Sequence, residues 1–374
     1  MSMAPSGSPG QVSLRELNRW TLARQLLLER AALDPVTAIE RLAGLQAQWP
    51  RSPYIALWSR LRDFRIADLE AALTEGRVLK SNLMRVTLHL VSAAEFHLYR
   101  TANDTDLQTG WSASASAAGD NLTPIRAALI ERAASGPLPR SEALAVMEAL
   151  APGMEEMDRR RLWYLLKSAH LVADPRHALF RSSPQGDHVP APTLPEVARG
   201  VATTHIVRAH LAAFGPATRA DTADWTGQTV GALLPGFLAL ADELVELRGP
   251  NGETLFDLRD APRPKAEVAA PVRYLPKWDS LLLAHKRRTR VISDEHRKVV
   301  IRKNGDVMET FTVDGFVAGF WGVTTKRGVV TLTLTPFVAL TKPDAAALEE
   351  EGGRLLRFVA PDAKEFAFEL LPTL

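Results

Sequence analysis

The sequence repeats one order of elements, three helical segments followed by two short extended segments, three times between residues 13 and 258. The extended pair spans residues 78–91 in the first repeat, 171–181 in the second and 244–258 in the third. Three helices followed by a β-ribbon are typical of a winged helix-turn-helix. The order therefore predicts a mainly α protein with β structure, built on three tandem winged helix-turn-helix units, although the units share no obvious sequence repeat.

Capping signals indicate where helices begin. Ser13 and Glu16 have the S-x-x-E spacing of a capping box, in which two otherwise unpaired backbone amides are satisfied reciprocally. Asp34 before Pro35 is typical of an N-cap followed by the first helical position. We expect this second helix to run to about residue 45 and to end near Gln46.

The last hundred residues have the patterns of β structure. Lys-Asn-Gly-Asp at 303–306 is a strong signal for a hairpin turn. The segments around it alternate apolar with polar or Thr side chains, as strands do. We expect a β-rich, barrel-like subdomain with strands at 299–302, 307–311, 311–323, 329–340 and 365–371 and a helix at 344–358.

The predicted domain boundaries follow these changes in pattern. Residues 1–12 lack the basic and apolar regions of a secretory signal and are predicted to form a disordered leader. Residues 261–271 are rich in Pro and Ala and are typical of a linker. We place the three winged units and the C-terminal domain at residues 13–120, 121–200, 201–270 and 271–374.

Composition and missing motifs exclude several kinds of function. The chain has no Cys, which excludes disulfides, thiolate zinc sites and Cys nucleophiles. It has no P-loop, no Rossmann glycine motif and no H-E-x-x-H, and none of its nine His form an i, i+4 pair. We therefore expect no metal and no cofactor. No segment approaches the ~18 apolar residues of a membrane helix, so we expect no membrane partner and a cytoplasmic, nucleoid-associated location.

The segment Leu45–Pro50 carries two amides two positions apart, Gln46 and Gln48. On a helix these side chains would lie ~200° apart and could not converge. Pro50 keeps Trp49 out of the α region, so past the helix end both amides could point together into a cleft. The alternative is a polar helix end whose amides bond the local backbone, and the spacing by itself favours that alternative.

A basic stretch stands out against a nearly neutral chain. Residues 273–303 contain ten Lys or Arg and three acidic side chains, whereas the whole chain has a net charge of +2. Clustered cations can follow the phosphates of DNA, and a solvated surface is the alternative. The predicted DNA contacts are the densest part of this stretch and two cations that flank the first wing: Lys286, Arg287, Arg288, Arg290, Lys303, Lys80 and Arg85.

Other side chains could support such a site. Trp49 adjoins the amides and could stack on a base or adduct, with burial in the core as the alternative. Asp279 lies among apolar residues and could orient an Arg or cap a turn. The run 159–161 of three Arg could touch DNA from a recognition helix, and a charged face on the bundle surface explains it equally well.

Several strings, in this order and spacing, resemble the winged-helix DNA glycosylases of the AlkZ/YcaQ type over about residues 13–340. The matching strings are Leu17-Asn18-Arg19, Leu22-Ala23-Arg24-Gln25, Gly44-Leu45-Gln46-Ala47-Gln48, Arg85-Val86-Thr87-Leu88-His89-Leu90-Val91, Phe214-Gly215-Pro216-Ala217-Thr218 with Asp221, Asp224 and Trp225, Leu275-Pro276, Asp279, Leu281–Leu283, Arg287-Arg288, Val313-Asp314-Gly315 and Gly319-Phe320-Trp321.

The resemblance implies a fold and a catalytic element. The implied fold is a C-shaped cradle for double-stranded DNA, made of three winged helices and a β domain and acting as a monomer. The implied catalytic element is a Gln-x-Gln or Gln-x-Asp string. Gln46 and Gln48 match the Gln-x-Gln branch, which is associated with AlkZ and antibiotic self-resistance, and no carboxylate stands at position 48.

The amide pair narrows the substrate. Hydrolysis of an N-glycosidic bond passes through an oxocarbenium-like state, for which enzymes often provide a carboxylate to activate water. An amide is a poor base and can only hold water and present a dipole. A held water and a dipole are sufficient when the leaving base is already cationic, as an N7-alkylated purine is, because such a base needs no protonation to depart. The expected activity is thus a monofunctional glycosylase for N7-alkylguanine and related alkylpurines. The resemblance further implies an open cleft, which extends the expected substrates to bulky natural-product adducts or interstrand crosslinks.

Two other classes of function remain open at this stage. Most winged helices are regulators, so the chain could be a repressor or a drug-sequestering DNA binder without catalysis. Repressors are typically dimers that read a palindrome, whereas three tandem units favour a monomer around a lesion. A module for protein interaction is the weaker third reading, and it predicts no affinity for DNA.

Overall fold

The computed structural model describes residues 11–115, 123–150, 169–183, 186–193 and 195–374. The chain forms two compact units. The β-rich unit comprises residues 1–31, 210–222 and 239–374, and the helical unit comprises residues 32–209 and 223–238. Residues 1–10 of the leader predicted at 1–12 lie outside the described residues, as does the helix predicted to carry Arg159, Arg160 and Arg161. The last two leader residues are ordered by Arg248, since Gln11 forms a bridge with it and the Val12 amide donates to its carbonyl at 2.8 Å.

The elements run as follows in chain order. The helices are α1 (Leu14–Arg24), α2 (Pro35–Arg41), α3 (Ser52–Arg60), α4 (Ile66–Thr74), α5 (Ala93–Ala115), α6 (Thr123–Ala134), α7 (Arg140–Leu150), α8 (Arg199–Phe214), α9 (Arg219–Thr226), α10 (Val230–Ala239), α11 (Asp294–Val300) and α12 (Lys342–Val359). The strands are β1 (Leu45–Gln46), β2 (Val78–Asn82), β3 (Leu88–Ser92), β4 (Leu171–Ala173), β5 (His188–Pro190), β6 (Leu244–Arg248), β7 (Thr254–Leu258), β8 (Arg273–Leu275), β9 (Thr310–Val313), β10 (Phe316–Lys326), β11 (Val329–Pro336) and β12 (Glu365–Leu370).

Local capping signals were reliable. The Ser13 and Glu16 capping box forms at the start of α1, and the Asp34 carboxylate accepts hydrogen bonds from the first backbone amides of α2. The predicted end of α2 was wrong, because the helix stops at Arg41. Gly44 then takes a φ of +83°, a left-handed conformation that Gly adopts without strain, and the chain enters a strand.

The segment predicted as the first wing belongs to a three-stranded sheet in the order β1-β3-β2. The predicted pair β2 and β3 is antiparallel, with Ser81 opposite His89. The added strand β1 places Gln46 opposite His89 on the other edge of β3. Gly44 permits this close approach, since a Cβ there would lie 3.1 Å from the Leu90 carbonyl oxygen.

The rest of the helical unit is built around small apolar clusters. Helices α6 and α7 share a core with the start of β4, in which Leu129, Leu138 and Met147 are fully buried. The hairpin predicted at 171–181 was wrong, because Asp174 caps a short 3-10 turn there and β4 pairs instead with β5 at 188–190.

The β-rich unit contains a five-stranded sheet in the order β12-β11-β10-β9-β8. Strand β12 runs parallel to β11 and the other neighbours are antiparallel. The predicted barrel was wrong, since β8 and β12 remain separate edges of this open sheet among the described residues. Helix α12 packs on it, with the Tyr274 hydroxyl donating to the Leu348 carbonyl at 2.7 Å.

Two further segments of this unit test the sequence patterns. The third hairpin, β6 with β7, forms as predicted, with Leu244 opposite Leu258. The strand predicted at 299–302 was wrong, because α11 continues to Val300 from an N-cap at Ser293. The turn at 303–306 does form, and a bridge joins Ile301 and Val307 across it. The count of three winged helices remains a prediction.

Candidate active site

The two predicted catalytic amides lie at the end of a short strand and in the bend that follows it, not at a helix end. Gln46 ends β1, and the Ala47 backbone amide continues the pairing by donating to the Leu88 carbonyl at 2.7 Å. Leu45 and Ala47 are buried in the core, whereas Gln48 is exposed and lies in a bend two residues past Gln46. Neither amide caps α2.

An arginine holds the first amide. The Arg85 guanidinium donates through Nη2 to Gln46 Oε1 at 2.9 Å and through Nη1 to the Trp225 carbonyl at 2.5 Å. Arg85 is half-buried, and Gln46 is 6% exposed. A rigid guanidinium with two anchored nitrogens fixes its partner's geometry better than a flexible ammonium.

The turn between β2 and β3 presents this arginine. Arg85 and Val86 have φ values of +52° and +57°, which are costly for residues with a Cβ. Backbone hydrogen bonds from Val86 to Leu83 and from Thr87 to Met84 hold the turn. Gly227 packs against it, because a Cβ there would lie 3.0 Å from Arg85 Cα.

His89 lies opposite Gln46 in the sheet but is no acid or base at neutral pH. Its ring is buried, and Nδ1 lies 2.8 Å from the Thr87 carbonyl oxygen. Burial, aided by the nearby Arg85 charge, lowers the pKa of His89 to about 3. The imidazole is therefore neutral, and Arg85 is the charge that dominates this corner of the site.

The second amide and its neighbour face solvent. Gln48 is exposed, and its Oε1 lies 3.5 Å from the Leu88 backbone nitrogen. Trp49 is 39% exposed, so it is not buried in the core, and its stacking on a base stays a prediction. Among the described residues, no carboxylate hydrogen-bonds either amide.

The predicted basic cluster divides into two kinds of residue. Lys286 and Arg287 are exposed, as is Lys303 on its hairpin turn. Arg288 donates to the Leu282 carbonyl at 2.7 Å. Arg290 is 5% exposed and donates to the Pro216 carbonyl at 2.8 Å, and burial lowers its pKa to about 10.

A cavity of about 390 Å³ lies beside this cluster in the β-rich unit. Lys286, Arg287 and Arg290 line it together with Asp221 and Glu253. Because both signs of charge line its wall, the cavity itself is not a simple phosphate pocket.

Two other predicted residues have structural positions. Lys80 is 3% exposed and its Nζ donates to the His177 carbonyl at 3.1 Å, and burial lowers its pKa to about 8. Asp279 is buried and accepts from the Leu281 backbone amide at 3.0 Å, as the cap of a short 3-10 turn. Lys80 is not presented to a DNA backbone in this conformation.

Comparison with known proteins places this geometry in a family. The sequence profile described as DNA glycosylase AlkZ-like matches residues 39–358, which is most of the chain. The chain belongs to the AlkZ-like DNA glycosylase family. This match confirms the family resemblance that the sequence strings indicated.

Two relatives illustrate the membership of this AlkZ-like glycosylase. It is 26% identical over 370 residues to a protein of Streptomyces sahachiroi named interstrand DNA cross-link repair glycosylase, with 93% of this chain and 96% of that protein covered. Its fold is similar to that of the solved DNA glycosylase AlkZ from the same organism, with a TM-score of 0.75, 21% identity and coverage of 97% and 100% of the two chains.

In the part of the AlkZ-like chain that the structure describes, no three His, Asp or Glu side chains come together in a way that could hold a metal ion. Within the same ranges, no helix combines the length and apolar character needed to cross a bilayer.

The structure brings Gln46, Gln48, Trp49 and Arg85 to one region of the AlkZ-like fold and shows contacts of Arg85 that sequence reasoning missed. Its guanidinium bonds Gln46 and the Trp225 carbonyl, and its predicted contact with DNA stays a prediction. These partners are 39 and 140 residues away along the chain. The one available signal was the Arg85–Val91 string, which resembles the family but does not reveal a partner.

Proposed function

We propose that this chain is a monofunctional glycosylase that hydrolyses the N-glycosidic bond of cationic N7-alkylguanine and related alkylpurines in double-stranded DNA. The observation that carries the proposal is that Gln46, at the end of β1, and Gln48, in the bend that follows it, have no described carboxylate bonded to either amide. Together the two amides hold the attacking water.

The chemistry follows from what an amide can do. Neither Gln can accept a proton at neutral pH, so the site orients water rather than ionising it. An N7-alkylated purine is already cationic and departs as a neutral base without protonation by the enzyme. The remaining requirement is an oriented water and a dipole toward the positive charge that develops on the sugar.

The cations of the β-rich unit suit a DNA partner. Lys286, Arg287 and Lys303 are exposed, and cations that neutralise phosphates contribute affinity without reading sequence. Arg288 and Arg290 support the protein backbone instead. We propose that the chain binds duplex DNA as a monomer through the three exposed cations.

The relative named for interstrand cross-link repair extends the proposal to bulky lesions. A crosslinked base cannot be turned into an enclosed pocket. Gln48 and Trp49 are exposed on the surface of the helical unit, which suits a lesion that stays in the duplex. We therefore propose adducts of DNA-alkylating natural products as substrates. The enzyme would then make an organism that produces such a compound resistant to it.

Single-turnover excision from a duplex with one N7-methylguanine tests the proposal. Gln46→Ala and Gln48→Ala should each lower the rate of abasic-site formation by about 100-fold or more, since an oriented catalytic dipole contributes ~2.7–4 kcal/mol. DNA binding should persist in both. The matched control is Gln11→Ala, which removes an exposed amide in the other unit.

Two results would contradict the proposal. Wild-type rates in both Gln variants would remove the amides from the chemistry. DNA binding by the wild type without any abasic sites, on small or bulky alkylated duplexes, would favour the regulator or drug-sequestering function instead.

A further inference from the structure

We infer that Arg85 is a positioning residue that divides the work of the two amides, with Gln46 as the hydrogen-bond donor to the water and Gln48 as the acceptor. The inference rests on the proposed glycosylase function and deepens it. Its basis is the contact of Arg85 Nη2 with Gln46 Oε1 at 2.9 Å.

A planar amide has an acceptor at one end and two donors at the other. Since Arg85 has no acceptor, its guanidinium can only bond the oxygen of Gln46. The Nε2 end must then turn away from Arg85. No described residue hydrogen-bonds Gln46 Nε2, and this nitrogen is not completely buried. The donor end of the amide therefore faces accessible space.

Arg85 is held firmly enough to impose this orientation. Its other nitrogen Nη1 is fixed to the Trp225 carbonyl at 2.5 Å, and its backbone lies in the left-handed region at a φ of +52°. Gly227 packs on that backbone. Rotation of the Gln46 amide would leave the half-buried guanidinium facing two amide hydrogens, which is repulsive.

Gln48 completes the arrangement from the exposed bend that follows β1. Among the described residues, the Gln48 Oε1 receives one long contact, from the Leu88 backbone amide at 3.5 Å. A carbonyl oxygen has two lone pairs, so it can also accept from a water. A water that accepts from Gln46 Nε2 and donates to Gln48 Oε1 keeps one lone pair for the C1′ carbon. The water oxygen bonds C1′ as the C1′–N9 bond breaks. The electron pair of the broken bond stays with the leaving base and neutralises its positive charge, and the surplus proton of the water leaves to solvent.

Exchanging each amide for its carboxylate tests the division. Gln46→Glu keeps an oxygen for Arg85 but removes the donor, so excision of N7-methylguanine should fall by about 100-fold. Gln48→Glu keeps the acceptor and should retain activity within about tenfold. Equal retention in both variants, or loss only in Gln48→Glu, would overturn the division.

Arg85 itself is tested by deletion and rescue. Arg85→Ala should lower the single-turnover rate by about 100-fold, and guanidinium ion in the millimolar range should restore part of it. Arg85→Lys should recover little, because an ammonium cannot bond both Gln46 and the Trp225 carbonyl in the same geometry. The control is Arg65→Ala, which removes an exposed Arg of the helical unit.

The salt dependence of DNA binding separates this role from a phosphate contact. A positioning Arg85 leaves the slope of log affinity against log salt unchanged in Arg85→Ala, whereas a phosphate contact lowers it by about one. If Gln46→Ala and Gln48→Ala are inactive while Arg85→Ala and Gln46→Glu are active, the positioning role falls and the glycosylase function stands. If both Ala variants are fully active, the proposed catalytic pair fails first.

Discussion

Replacing Gln48 by Asp tests how far a preactivated leaving group carries the catalysis. The new carboxylate has a reference pKa of about 3.9 and is ionised at neutral pH, so it can accept a proton from water as the amide cannot. Gln48 is exposed, and its nearest described hydrogen-bond donor, the Leu88 amide, is 3.5 Å away. The substitution should therefore leave the fold intact.

The magnitude follows from the length of the side chain. Asp is one methylene shorter than Gln, so its oxygens fall about 1 Å short of the water, and misplacement of that size can cost on the order of 100-fold. A stronger acceptor offsets part of this loss. We expect excision of N7-methylguanine by Gln48→Asp to be about tenfold to 100-fold slower than by the wild type. Uracil release should stay absent, because no acid protonates that neutral leaving group.

The assay is abasic-site formation under single-turnover conditions on matched N7-methylguanine and uracil duplexes. Gln48→Asn is the control for length, since it is as short as Asp but carries no charge, and it should be slower than Gln48→Asp. Robust uracil release by Gln48→Asp or by the wild type would refute the reasoning. Equal rates for the Asp and Asn variants would show that a carboxylate at this position gives no advantage.

The other predictions concern DNA contact and stability. Neutralising Lys286 and Arg287 together should flatten the salt dependence of DNA binding by about two units of slope, and an unchanged slope would assign both side chains to solvent. Burial lowers the Lys80 pKa to about 8 from about 10.4 unfolded; the unfolded chain therefore binds more protons between these values, and stability rises with pH there. Denaturant titrations should show that Lys80→Met loses this rise. In the wild type, the Asp257 carboxylate lies 2.7 Å from the buried Arg24 guanidinium. Asp257→Asn removes this counter-ion and should lower the free energy of unfolding by about 3–5 kcal/mol; an unchanged urea midpoint would contradict this.

Elements with local signals were predictable from the sequence. The capping box at Ser13 and the cap at Asp34 mark helix starts because the bonded groups are three residues apart or fewer. The hairpin at 244–258 was equally predictable, because its turn contains Gly252. In the structure Gly252 takes a φ of +81°, a conformation that favours Gly. In these segments, neighbouring residues supply the interactions that decide the conformation.

Elements decided by distant contacts were not predictable. Residues 45–46 form a strand because β3 pairs with them. The residues before them, which were predicted to be helical, give no sign of this pairing. The 299–300 segment has strand-forming Val residues, but an N-cap at Ser293 extends a helix through it. The open edges of the five-stranded sheet depend on how five separated segments come together, which alternation of apolar residues does not specify.

The same division applies within the candidate site. Gln46 and Gln48 could be selected from the sequence because they form one short string with an unusual composition. The orientation of Gln46 could not, because it depends on Arg85 in a turn whose left-handed backbone is held by tertiary contacts. Sequence reasoning therefore finds the proposed catalytic amides more readily than the residue proposed to orient one of them.

The arrangement also accounts for a cation near a reaction that develops positive charge. The Arg85 guanidinium lies on the oxygen side of Gln46, so the amide stands between it and the accessible face of the site. Repulsion toward the sugar is weakened by that distance, while the carbonyl dipole of Gln48 supplies the opposing attraction. We propose that the site uses charge to set an orientation and neutral dipoles to act on the substrate. Such a division suits a cationic lesion, whose own charge already favours departure of the base.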